Sequence, residues 1–218
     1  MELTSSQKDA LTELINIGYA RAAAALSDLT GHRISLQVPE VGIHLMPEIG
    51  IKLQDVIKGE VASVNQVFSG PISGNAILLL DREAALLLNQ VLTDRTDTIG
   101  FDGAAREVIT EVGNIVLNAC LGAFGNLLKV QVTFTVPSLQ IESVQTVLRS
   151  ITVEDRELEY ALIIHTRFHL RTSNVSGYLV IILGVTSLER LLVELKKWED
   201  RGSAKMKTEV TAPDDKSE

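Results

Sequence analysis

Carboxylates and carboxamides are set out along this chain at a spacing that repeats. Asp9, Glu13 and Asn16 stand at i, i+4 and i+7, which on a helix is one polar stripe. Glu107, Glu111 and Asn114 follow 98 positions later in the same order, and Pro39 and Pro137 are also 98 apart. Neither set pairs a nucleophile with a base, so neither reads as a self-contained hydrolytic centre. These side chains offer hydrogen bonds and negative charge. They can offer them to water, as the outer face of a helix, or to a partner. The triplet survives in both copies although its neighbours differ, and each copy keeps a proline 23 positions after its asparagine. That recurrence weighs toward one site present twice.

Other candidate chemistry is weaker. His165 and His169 have the spacing of a metal pair, but the flanking alternation is that of a strand. On a strand they lie ~13 Å apart, too far to share an ion. Cys120 sits among apolar residues in a helical pattern and reads as a buried structural thiol. The segment SGPISG (69–74) lacks the following Gly-Lys of a phosphate loop and reads as a turn. Asn118, one turn after Asn114, either extends the second stripe or faces water.

The elements that must carry the stripes follow from local signals. Thr4 to Gln7 fits a capping box, and Thr30-Gly31 stops the helix it opens. Leu11, Leu14, Gly18, Ala22, Ala25 and Leu29 are its expected buried face. HRISLQVPEVGIHL then alternates as a strand. The helix climbs ~20 Å from Asn16 to Leu29, and a strand from Arg33 descends about as far by Pro39. The long spacing thus returns the proline to the level of the asparagine. Residues 46–58 read as an irregular connection, 59–68 and 73–81 as a hairpin turning at Gly70-Pro71, and 82–92 as a short helix. After a polar linker (93–100) the order repeats. A helix over 102–125 is capped by Asp102, and a returning strand covers 128–141. A hairpin pair over 158–170 and 176–184 and a closing helix over 187–198 follow. The expected organisation is one domain over 1–198, with repeats about 1–93 and 101–198, and a disordered polar tail over 199–218.

Composition narrows the function classes. The net charge of -8 argues against a nucleic-acid partner. A single cysteine suits a reducing cytoplasm, and neither a signal pattern nor an unbroken apolar run of membrane-spanning length is present, so membrane insertion is not expected. Two halves that can bury their faces against each other suggest a monomer.

The spacing D-x3-E-x2-N-x22-P resembles the motif of the CheC/CheX/FliY family of chemotaxis phosphatases. It is filled by Asp9, Glu13, Asn16 and Pro39 and, with glutamate first, by Glu107, Glu111, Asn114 and Pro137. QKDALTELINIG and REVITEVGNIV resemble the family's helix signature, and the likeness covers roughly residues 5 to 198. With two motif copies the chain most resembles the CheC group, since CheX carries one site.

The resemblance implies an α/β (α+β) fold built by internal duplication. Two long motif-bearing helices would lie on one face of a six-stranded sheet, related by a pseudo-twofold axis. It implies a phosphorylated CheY-type receiver domain as substrate. Asn16 and Asn114 would orient the attacking water, and Glu13 and Glu111 would pair with the receiver's lysine. Asp9 and Glu107 would assist docking, and Pro39 and Pro137 would shape the backbone. The protein would bring no cofactor of its own, because Mg2+ arrives with the receiver. The alternative is a non-catalytic adaptor for a receiver or for a CheD-like receptor deamidase, or a component related to the flagellar switch. The chain departs from the family pattern at Glu107, at Ile15 where glycine is usual, and at Tyr19 and Arg21. Gly113 is expected to leave room for a partner's backbone beside Asn114, and Ile15 to crowd Asn16, which favours the second site.

Overall fold

Caps fix where the two motif-bearing helices begin, and hence which way each stripe faces. The computed structural model describes residues 3–57, 59–93, 100–154, 158–170 and 174–210. Helix α1 spans Ser5–Thr30 and opens on the expected capping box. Gln7 N–H donates to Thr4 Oγ1 at 3.2 Å, and Thr4 N–H donates to Gln7 Oε1 at 2.9 Å. Gly31, in the left-handed conformation, closes it. Helix α4 spans Gly103–Leu128, and Asp102 caps it by accepting from the Ala105 N–H at 2.8 Å.

The remaining elements of the first half are β1 (Ser35–Leu45), α2 (Met46–Val56), β2 (Glu60–Ser69), β3 (Gly74–Asp81) and α3 (Arg82–Thr93). Those of the second are β4 (Thr133–Phe134), β5 (Ser138–Ser143), α5 (Val144–Glu154), β6 (Leu158–His169), β7 (Asn174–Gly184) and α6 (Val185–Val210). All pairings are antiparallel, in the order β1-β6-β7-β3-β2-β4, with β5 also paired to β2. Since β4 and β5 share one neighbour, the seven strands occupy six positions: the expected continuous strand over 128–141 is broken in two. The strand order reads the same from either end when the halves are exchanged.

Two layers cover the sheet. On one face α1, α3, α4 and α6 bury Leu78, Leu80, Leu179 and Ile181. On the other, α2 and α5 bury Ile77, Leu79, Val180 and Ile182. Helix α2 replaces the irregular connection expected over 46–58. Met46, Ile49 and Leu53 keep helical spacing and are buried, and Pro47 lies in the first turn, where its missing N–H costs nothing. Helix α5 was equally unexpected. The α1 face also needs correction. Leu11, Leu14, Gly18 and Ala22 are buried as expected, with Ile15, Tyr19 and Leu26, but Ala25 is exposed and Leu29 is 63% exposed, so the last turn is uncovered.

Helix α6 runs past the expected domain end at 198. Ser6 Oγ donates to Glu199 Oε1 at 2.6 Å, and Arg201 Nη2 donates to the Leu127 carbonyl at 3.0 Å, tying residues just beyond 198 to α1 and α4. The rest of the expected tail, 211–218, and most of the expected linker, 94–99, lie outside the described residues. By length and composition alone α4 could cross a membrane; in this fold half of its most apolar window is buried.

Two glycines set how closely the motif helices lie. A Cβ on Gly18 would sit 2.9 Å from Cys120 Cα, so α1 and α4 meet backbone to backbone there. A Cβ on Gly113 would come within 2.4–2.6 Å of three side-chain carbons of Val64. Gly113 is therefore small because α4 rests on β2. It leaves no room for a partner's backbone, and that expectation is wrong. Ile15 is fully buried too, and does not crowd Asn16.

The Gly113 contact can be measured. Gly113→Ala gains helix propensity of about 1 kcal/mol but overpacks a fully buried valine, which costs about 1–3 kcal/mol. Net destabilisation is expected in urea unfolding. Val64→Ala should cost less in the Gly113→Ala background than in the parent. Additive costs would show that the two residues do not press on each other.

Candidate functional site

Helix α1 places Asp9, Glu13 and Asn16 on its exposed side, opposite the buried Leu11, Leu14, Gly18 and Tyr19. No side-chain hydrogen bond to Asn16 is present among the described residues. Helix α4 places Glu107 and Glu111 in the open and leaves Asn114 half-buried. Each helix thus presents its three expected residues on one side, as the i, i+4, i+7 spacing requires.

Both prolines lie where their strands slip register. In β1, Gln37 pairs with Arg167 and Glu40 with His165, so Val38 and Pro39 oppose Thr166 alone. Across β4 and β5, Phe134 pairs with Phe68 and Ser138 with Asn65, so residues 135–137 oppose only Gln66 and Val67. Each proline strand carries one residue more than its partner, which is a bulge. Proline has no N–H to give the ladder, so a bulge on an outer strand is where a sheet accommodates it.

The partner-strand residue under each bulge reaches into the motif helix, differently at the two sites. Under Pro39, Thr166 is fully buried and its hydroxyl meets that of Tyr19. Burial, with the Cys120 thiol nearby, pushes the Tyr19 phenol well above its ordinary pKa against the hydrogen bond from Thr166, so it stays neutral. Tyr19, one of the departures from the family pattern, is part of the core. Near Pro137, Gln66 is 2% exposed; its Nε2 donates to the Thr135 carbonyl at 2.9 Å and to Asn118 Oδ1 at 3.1 Å. Asn118 Nδ2 donates to Asn114 Oδ1 at 2.6 Å, and Asn114 Nδ2 lies 3.5 Å from Glu111 Oε2.

The second set converges on a cleft. Arg106, Glu107, Thr110, Glu111, Pro137 and Leu139 line an open volume of about 530 Å³, with Asn114 less than a turn from Glu111. In the first set, α1 carries three of the residues and β1 carries Pro39. Gln66 and Thr135 escaped the sequence reading. The signal for Gln66 was a glutamine on the face of β2 that is otherwise apolar, alongside Ala62, Val64 and Phe68. His165 and His169 both lie in β6; the His165 ring stacks on Tyr178 at 5.0 Å and His169 Nδ1 lies 2.8 Å from Asn174 Oδ1. Cys120 is buried, and burial drives its thiol pKa far up.

No family model matches the chain. Among curated proteins, the CheY-P phosphatase CheC of Bacillus subtilis is 23% identical over 203 residues, covering 88% of this chain and 95% of that protein. The putative CheY-P phosphatase CheC1 of Halobacterium salinarum is 23% identical over 169 residues, covering 77% and 85%. Among solved structures, FliY of Thermotoga maritima shares the fold at a TM-score of 0.75 and 18% identity, over 91% of this chain and all of that one (100%). FliM of H. pylori, in its complex with SpeE, shares it at 0.66 and 12% identity, over 90% and 98%. The chain is thus similar, over most of its length and of theirs, to curated CheC proteins, and it shares the fold of FliY and FliM.

Proposed function

We propose that the protein removes the phosphoryl group from the aspartyl phosphate of a CheY-type receiver domain, at two sites. The observation that carries this reading is the cleft that gathers Glu107, Glu111 and Pro137, with Asn114 at its margin. The curated relatives named CheY-P phosphatases support it. An aspartyl phosphate is an activated acyl phosphate, so little covalent work falls to the protein and placing a water is enough. Water oxygen bonds to phosphorus as the bond from phosphorus to the aspartyl oxygen breaks. The carboxylate leaves, and the water's proton passes to the released phosphate.

Asn114, and Asn16 at the first site, hold the water in line by a hydrogen bond from the side-chain carboxamide. Glu111 and Glu13 dock on the receiver's lysine; both are exposed and free to turn outward. Glu107 and Asp9 widen the negative surface. Pro137 and Pro39 keep the strand beside each helix from closing over the site. Mg2+ is part of the substrate and comes with the receiver. The protein works in the cytoplasm as a monomer, because both helix-bearing halves are completed within one sheet.

The rate of phosphate loss from a radiolabelled phosphoreceiver tests the reading. Asn16→Ala or Asn114→Ala alone should leave measurable activity, and the double variant should fall to the receiver's spontaneous rate. Each site's loss should be at least about tenfold and lie in turnover rather than affinity. Parental activity in the double variant would remove the asparagines from the chemistry. Receiver binding without activity in every form, the parent included, would make the protein an adaptor. Sedimentation at micromolar concentration should give the mass of one chain; a stable dimer would contradict the monomer.

A further inference from the structure

One buried group beneath the second site has no part in the mechanism above, namely the side chain of Gln66. A carboxamide has two ends of nearly equal shape, and only its partners decide which end faces where. At Gln66 the decision is made by the backbone. The Thr135 carbonyl can only accept, so Gln66 must turn its nitrogen to it, at 2.9 Å. The same nitrogen gives its second hydrogen to Asn118 at 3.1 Å, so Asn118 must turn its oxygen inward. That leaves the Asn118 nitrogen facing Asn114, where it donates to Oδ1 at 2.6 Å. The Asn114 oxygen is held, and its nitrogen is directed to the Glu111 side of the cleft.

We infer that Gln66 and Asn118 are positioning residues which transmit the polarity of the Thr135 carbonyl through two carboxamides, so that Asn114 presents its N–H donor to the cleft. The bulge makes this happen. The extra residue on the proline strand leaves Thr135 opposite Gln66 and Val67, where its carbonyl is answered by the Gln66 side chain. The first site has no such relay among the described residues. Ala20 stands 98 positions before Asn118, and Thr166 is committed to Tyr19. The donor end of Asn16 is therefore free to exchange with its acceptor end, and the second site holds its water-orienting group in one sense.

The kinetic half of the test rests on the phosphatase reading; the spectroscopic half does not. In an Asn16→Ala background only the second site reports. Asn118→Asp is nearly isosteric but can only accept, so Asn114 must turn its nitrogen inward and its oxygen to the cleft. We expect turnover of phosphoreceiver to fall about tenfold or more with KM changed less than about twofold. Asn118→Ala, which frees Asn114 without reversing it, should cost less than Asn118→Asp. A KM rise at unchanged turnover would make Asn118 a docking contact and overturn the inference, as would parental turnover in Asn118→Asp. Side-chain amide exchange, followed by NMR, stands independently of any activity. In the protein with native Asn118, its NH2 hydrogens should exchange more slowly than those of Asn16, and Gln66→Leu should abolish the difference. Equal exchange would show that no relay exists, whether or not the protein is a phosphatase. If no form turned over the receiver while Asn118 stayed protected, the phosphatase reading would fall and the relay would stand.

Discussion

A proline in a paired strand has no N–H for its neighbour, and much of this molecule's functional geometry follows from where the two prolines are put. Pro39 and Pro137 each lie in a bulge of one extra residue, on strands that accompany the motif helices. A continuous ladder at either position would bring regular backbone up beside the helix. The bulge instead opens the strand and gives the residue below it a route to the helix. Thr166 uses that route to fix Tyr19, and Gln66 uses it to reach Asn118. The same backbone device thus serves packing at one site and a polar network at the other.

The helices can exploit these openings only because they lie close to the sheet and to each other. Gly18 lets α1 meet α4 at Cys120, and Gly113 lets α4 settle on Val64. At each contact a methyl group would have to occupy filled space. The apolar side chains beneath are held at a density that makes such intrusions expensive, so the outward-facing stripes are fixed in register by what lies behind them. This reverses the meaning of the glycine beside Asn114. In the sequence it looks like space for a partner; in three dimensions it is a packing requirement on the opposite side of the helix.

Much of the fold was legible because the signals were local. Caps at Thr4 and Asp102, the stop at Gly31 and the alternating strands marked their elements to within a few residues. The stripes were legible for the same reason, since helical spacing alone sets which residues share a side. Helices α2 and α5 were missed because each spans only 11 residues, too few turns for a helical period to stand out from an irregular stretch. The break between β4 and β5 was missed because a bulge depends on the partner strand. Gln66 escaped because its importance lies in contacts to Thr135 and Asn118, distant in sequence and on different elements. The reading of Ile15 as bulk near Asn16 failed for a related reason: consecutive helix residues point about 100° apart, so sequence neighbours are not spatial ones.

The two prolines also occupy the outer strands of the sheet, β1 at one end and β4 with β5 at the other. Outer strands carry unpaired backbone groups and can recruit strands from other molecules, which is a route to aggregation. A bulge interrupts the straight run of donors and acceptors that such recruitment needs, and proline removes one donor from it. Both margins of this sheet are therefore poor templates for another chain's backbone. The features that shape each candidate site would then also help keep a protein rich in leucine, isoleucine and valine dispersed at the concentrations a cell requires.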